Sequence, residues 1–213
     1  MKLLLVSNFY DVPYEHYLLH LIFSEGLEYF HLRKKEFSED AMRRYLDRIH
    51  PVFYPNIILH SHFHLVAEYG LGGAHFTRKS IYEDFAVGEN VDFHRKGFSL
   101  HSTAEVAQLE SSYHYIFLSP VFDSISNKGY NSKFKLSNLR QFLQTATSRP
   151  EIIALGGINH TRVEQAASLG FDGIALLGHI WADFETNPDL VSAVKRFERV
   201  RNAISSEQLT VDN

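Results

Sequence analysis

The 213-residue sequence contains no cysteine, which excludes disulfides, thiolate metal ligands and thiol nucleophiles, so any catalysis must use other groups. It also lacks an excess of basic charge. With 21 Lys and Arg against 25 Asp and Glu, the net charge is -4, and no basic stripe interleaved with aromatics runs along the chain. Nucleic acid is therefore not an expected partner. Long apolar runs are missing too: nothing approaches the ~20 residues of a membrane span, and the opening "MKLLLVSNFYDVP" turns polar too early for a secretory signal. The expectation is a cytoplasmic protein with no membrane partner. Linkers, close repeats and low-complexity tracts are absent. What the chain does have is 45% hydrophobic residues, enough for one sizeable core, and 13 histidines.

Short apolar runs of β type alternate with helix-length segments. Strands are expected near Leu3–Ser7, Tyr29–Arg33, Asn56–His60, Gly73–Phe76, Gly97–His101, Tyr115–Ser119, Ile152–Leu155 and Gly173–Leu177. Between them, Glu39–His50 carries Met42, Leu46 and Ile49 at helical spacing, and Thr161–Leu169 carries Val163, Ala166, Ala167 and Leu169 on one side. Near-continuous apolar strands such as "IIAL" and "IALL" suit a parallel sheet covered by helices, either doubly wound or closed. Eight units favour a compact α/β fold of the (β/α)8 TIM-barrel type, with short helices and loops. Residues 1–205 are read as a single barrel domain and 206–213, "SEQLTVDN", as a C-terminal tail that frays.

In such a barrel the loops after strands 7 and 8 commonly hold a phosphate on backbone N–H groups and a helix N-terminus. "GGIN" follows strand 7 and "LLGH" ends strand 8. Gly156, Gly157 and Gly178 remove side chains that would block an oxyanion's approach to the backbone, and Asn159 suits the cap of a helix beginning at His160 or Thr161. In "YFHLRKK", strict alternation turns His31, Arg33 and Lys35 toward the barrel mouth and Leu32 and Lys34 toward the helices. Two cations there would hold an anionic group.

These residues, in this order, resemble the thiamine-phosphate synthase family, which includes the thiazole tautomerases, over nearly the whole chain. "FHLRKK" is similar to the family's QLRxK segment, "ILHSHFHLVAEYGLGGAHF" to IINDRVDLALAxGADGVHL, and "GFSLH" to GxSxH. "LSPVFDSISNKG" is similar to the GPVFxTxTK loop, and "IIALGGINHTRVEQAASLGFDGIALLGHI" to the stretch from GGI to ADGVAVISAI. The resemblance implies a (β/α)8 barrel that joins an aminopyrimidine diphosphate to a thiazole phosphate with Mg²⁺, releasing pyrophosphate, or that isomerises a thiazole phosphate carboxylate. It implies that the thiazole phosphate rests on backbone amides of Gly157, Leu177 and Gly178, that Arg33 and Lys35 bind the diphosphate, and that Ser99 and Lys128 stand at the family's serine and loop-lysine positions. It leaves room for a homodimer.

The departures from the pattern are as informative as the matches. Ser61 and Ser80 stand where the resemblance puts the Mg²⁺-binding acidic residues, and His60 replaces the neighbouring asparagine. Hydroxyl and imidazole groups are poor ligands for this hard cation, so Mg²⁺ is expected as cofactor only in a working synthase, and none otherwise. Pro120 occupies the place of the tautomerases' catalytic histidine. His31, His60 and His101, each at a strand end, are the candidate proton-transfer groups. Three readings stay open: a synthase or tautomerase, a non-catalytic thiamine-phosphate-binding regulator, and a His-ligated metal hydrolase. The last is suggested by the alternating His60, His62 and His64 of "HSHFHLV".

Overall fold

The computed structural model describes residues 1–83, 93–109, 112–123, 129, 131–145 and 149–211. Eight parallel strands close on themselves in chain order: β1 (Lys2–Val6), β2 (Tyr29–Leu32), β3 (Ile57–Leu59), β4 (Gly73–Phe76), β5 (Arg95–Leu100), β6 (Tyr115–Leu118), β7 (Glu151–Leu155) and β8 (Gly173–Leu176). The seam is the pairing of β1 with β8, where Leu4 stands opposite Ala175. All eight expected strands are present, with no end shifted by more than two residues, and the barrel is closed as expected. No described helix is long and apolar enough to cross a membrane.

Strand alternation divides the apolar residues between two cores. Leu3 and Leu5 of β1 pack outward with the helices, whereas Leu4 and Val6 pack inward with Tyr115, Phe117, Ile153 and Ala175. The outer core is much the larger. Truncating one of its fully buried members, such as Leu19 or Leu59, would cost about 2–5 kcal/mol. Inside, Gly97 and Tyr115 are register partners on β5 and β6, and a Cβ on Gly97 would lie 2.0 Å from the Tyr115 ring. A glycine is thus what lets a tyrosine fill the barrel interior at that level.

The helices are short where proline or capping dictates. The helix Glu39–Leu46 begins at Ser38, whose hydroxyl accepts from the Ala41 N–H, and it stops before the expected His50. His50 precedes Pro51 and is extended, as the proline ring requires of its neighbour, and a 3₁₀ segment Pro51–Asn56 follows. The last helix, Leu190–Val211, runs past Ser205, so the backbone of residues 206–211 is helical. After β8 the four-residue helix Gly178–Trp181 turns across the seam, and the buried Trp181 indole N–H donates to the Val6 carbonyl at 2.7 Å.

Candidate functional site

A cavity of about 320 Å³ opens at the carboxyl ends of the strands. On one side it is walled by the loops after β7 and β8, through Gly156, Gly157, Leu177 and Gly178; on the other it meets Arg33, His60, Ser99 and His101. Asn159 caps the turn His160–Arg162 as expected, its side-chain oxygen accepting from the Thr161 N–H at 3.0 Å. Gly157 has φ +66, and a Cβ there would lie 2.4 Å from the Asp123 carbonyl. The glycine therefore lets the loop pack against the loop after β6.

The cationic wall departs from the alternation pattern at one position, Lys35. His31 does face the barrel interior, but β2 ends at Leu32 and the alternation ends with it. Arg33 lines the cavity, with its guanidinium 4.8 Å above the Phe9 ring, while its backbone N–H donates to Ser7 Oγ. Burial lowers the Arg33 pKa without threatening its charge. Lys35 is exposed and lies outside the cavity lining. Lys34 faces the helices as expected: it is fully buried, ion-paired with Glu15 and 5.5 Å from the centre of the Tyr45 ring. Burial dominates both partners, raising Glu15 to about 7 and lowering Lys34 despite their attraction. This pair belongs to the outer packing, not to the cavity.

The other expected positions sort clearly. Gly157, Leu177, Gly178 and Ser99 all border the cavity, and Lys128 lies outside the described residues. Ser61 bonds to the His62 ring at 3.1 Å. Ser80 and Thr77 form a reciprocal cap at the start of the helix Arg78–Glu83: Ser80 Oγ accepts from the Thr77 N–H at 2.8 Å, and Thr77 Oγ1 accepts from the Ser80 N–H at 3.2 Å. Neither serine borders the cavity. His101 does, and its Nδ1 lies 2.8 Å from the Ser119 carbonyl. Since a carbonyl only accepts, Nδ1 of the neutral ring carries the proton and Nε2 keeps a lone pair for proton transfer.

The expected run of His60, His62 and His64 does not converge. Past the end of β3 the chain turns, His62 takes φ 54, and His64 pairs with Glu39 at 3.3 Å. His60 instead meets His31 and His75, from β2 and β4. His31 Nδ1 is 3.1 Å from His60 Nε2, and the His60 and His75 rings stack at 4.4 Å. His75 bonds Tyr115 Oη through Nδ1 at 3.0 Å and Ser99 Oγ through Nε2 at 2.7 Å. Burial, and then neighbouring charge, pushes all three below the ordinary imidazole range, His75 to about 3. They are uncharged at neutral pH. His75 is not among the candidates read from the sequence, although it shares the inward parity of Gly73 on "GAHF". His179 was also passed over; it borders the cavity, and burial followed by the His160 charge lowers it to about 4.

No carboxylate is among the described residues that border the cavity, which offers imidazole, hydroxyl, guanidinium and backbone groups instead. This donor set does not fit Mg²⁺.

The family model for thiamine monophosphate synthase matches residues 11–180. A thiamine-phosphate synthase of Listeria monocytogenes serotype 4b is 27% identical over 104 residues, covering 48% of this chain and 46% of that protein, so the match spans less than half of the curated relative. The crystal structure of thiamine phosphate pyrophosphorylase from Bacteroides thetaiotaomicron superposes with a TM-score of 0.82 at 26% identity, covering 96% of this chain and 98% of that one. A thiamine phosphate pyrophosphorylase from Pyrococcus furiosus gives 0.74 at 16% identity, covering 96% of each chain, a likeness of fold.

Proposed function

This chain belongs to the thiamine monophosphate synthase family, and from that premise we propose that its cavity binds a phosphorylated thiazole and couples it to an aminopyrimidine diphosphate. The observation that carries this reading is the joining, in one cavity, of the loops after β7 and β8 with the Arg33 guanidinium across from them. The backbone of Gly157, Leu177 and Gly178 would receive the thiazole phosphate. Arg33, pre-oriented on Phe9, would hold the diphosphate in a fork of N–H donors. Ser99, held by His75, would lie against the pyrimidine.

The described lining offers Mg²⁺ no carboxylate. This chain's own residues would orient the two substrates, exclude water with the apolar walls of Phe117, Leu155 and Ile158, and neutralise the departing diphosphate through Arg33. The test follows thiamine-phosphate formation from the two substrates, with and without Mg²⁺, and resolves both product and thiazole tautomers by chromatography. Product formation that Arg33→Ala abolishes supports coupling. Binding of both substrates with no product overturns coupling and leaves a regulator that binds thiamine phosphate.

A second reading is favoured by one observation, the His101 ring at the cavity edge with Nδ1 fixed on Ser119 and Nε2 available as a base. It makes the protein a thiazole phosphate isomerase. Tautomer interconversion without pyrimidine, lost in His101→Gln, would establish it, whereas unchanged tautomer ratios would exclude it.

A further inference from the structure

We propose that His31, His60 and His75 form a binding site for one divalent transition-metal ion of the zinc class at the floor of the cavity. One ring nitrogen of each lies within 4.8 Å of one ring nitrogen of each of the others, and all three side chains are buried. Two imidazole nitrogens bound at ~2.0–2.1 Å to one tetrahedral ion lie roughly 3.3 Å apart. The His31–His60 pair is already at 3.1 Å. Closing the third side needs only that the His75 ring, stacked on His60, turns one nitrogen from its hydroxyl partner into the gap.

A second observation points the same way. His31 Nε2 is buried and has no hydrogen-bond partner. A buried polar nitrogen left unmatched costs about 1–3 kcal/mol; because the 3.1 Å contact uses Nδ1, Nε2 gains a partner only if the ring turns to ligate the ion through it. Three imidazoles suit Zn²⁺, Co²⁺ or Ni²⁺ and not Mg²⁺. The surrounding groups are also those of a metal centre. Tyr115 Oη would hold the non-ligating nitrogen of His75 and fix its tautomer, as outer hydroxyls and carboxylates do for bound imidazoles. Arg33, Lys35 and Arg95 oppose added positive charge at these rings, Arg95 being ion-paired with Glu151.

Three protein ligands leave a position open, and His60 borders the cavity, so the open position would face the substrate space. An ion there would act as a Lewis acid toward an anionic oxygen or a water held in the cavity. The site requires no thiazole or pyrimidine, and it stands or falls independently of the proposed coupling reaction.

The experiment uses the whole chain, freed of metal with a chelator and titrated with Zn²⁺ and Co²⁺. The expected result is one equivalent bound per chain, a visible Co²⁺ band of low-coordinate nitrogen ligation, and an unchanged isotherm in millimolar Mg²⁺. His31→Gln and His60→Gln should each weaken Zn²⁺ by about 100-fold or more, beyond the 10–100-fold typical of outer-sphere changes. His62→Gln and His64→Gln should leave it unchanged. X-ray absorption of the Zn²⁺-loaded wild-type protein, which depends on no variant folding, should show three imidazoles at ~2.0–2.1 Å. Absence of Co²⁺ or Zn²⁺ binding, fewer than three imidazoles, or binding lost only with His62 or His64 would overturn the proposal.

Discussion

The two walls of the cavity are made of different material. The β7–β8 wall is main chain: Gly156, Gly157, Leu177 and Gly178 present backbone, and what distinguishes it is the conformations that glycine allows. The β2–β4 wall is side chain: the His60 imidazole and the Arg33 guanidinium border the cavity, and His31 and His75 back His60 from the neighbouring strands. The difference teaches where each wall is vulnerable. A wall of backbone is insensitive to pH and breaks through sterics, whereas a wall of buried imidazoles tolerates little acid and breaks through protonation.

Acid is the largest lever on that contrast. In metal-free protein, His31, His60 and His75 have folded pKa values depressed by burial, with His75 near 3. The unfolded chain takes up protons on these rings below ~6.5 while the folded chain does not, so their stabilisation is complete above that pH and is lost as pH falls. The slope is up to about 1.4 kcal/mol per pH unit for each ring. Denaturant midpoints in chelator at pH 7, 6 and 5 should drop progressively, and His31→Gln should flatten the trend. A pH-independent midpoint over this range would remove the contrast.

The opposite wall is best attacked with charge and bulk. Gly178→Asp places a carboxylate beside the proposed phosphate position and should weaken thiazole phosphate binding by about 100-fold, the factor that ~2.7 kcal/mol of repulsion gives. Calorimetric titration decides it; wild-type affinity would disconnect this loop from the anion. Gly157→Ala acts on the fold itself. Its positive φ and the approach of its Cβ to the Asp123 carbonyl should lower unfolding free energy by about 1–3 kcal/mol, read from urea denaturation, and equal stability would show that the loop shifts freely.

The smallest expected effect sharpens the division between backbone and side-chain recognition. Arg33→Lys keeps the charge but loses the planar fork and the stacking on Phe9. Inhibition by pyrophosphate should weaken about tenfold, the equivalent of ~1.4 kcal/mol, while affinity for thiazole phosphate alone is unchanged. Equal weakening of both would place the two anions on one shared site.

Legibility in the sequence followed the same division. The strands were readable because each is a compact apolar run, and Gly157 and Asn159 because turn chemistry is local. Lys34 faces the helices as alternation predicts, whereas Lys35 is misplaced by it, because alternation holds only while hydrogen bonds to neighbouring strands hold the chain flat, and β2 stops at Leu32. The triad was not readable. His31, His60 and His75 are separated by whole β-α units, and only barrel closure makes them neighbours, whereas the nearby His62 and His64 diverge at a turn. Ser80 had a local meaning that the family pattern obscured: three residues after Thr77, it completes a helix cap.

Trp181 gives the molecule a reporter of its own. It is the single tryptophan of the chain, it is buried, and its indole is anchored to Val6 on the far side of the barrel seam, three residues along from Gly178. Selective excitation therefore interrogates one location without any label. Emission that changes as an anion settles on the β8 loop would give stopped-flow access to that event, separately from whatever occurs among the histidines across the cavity.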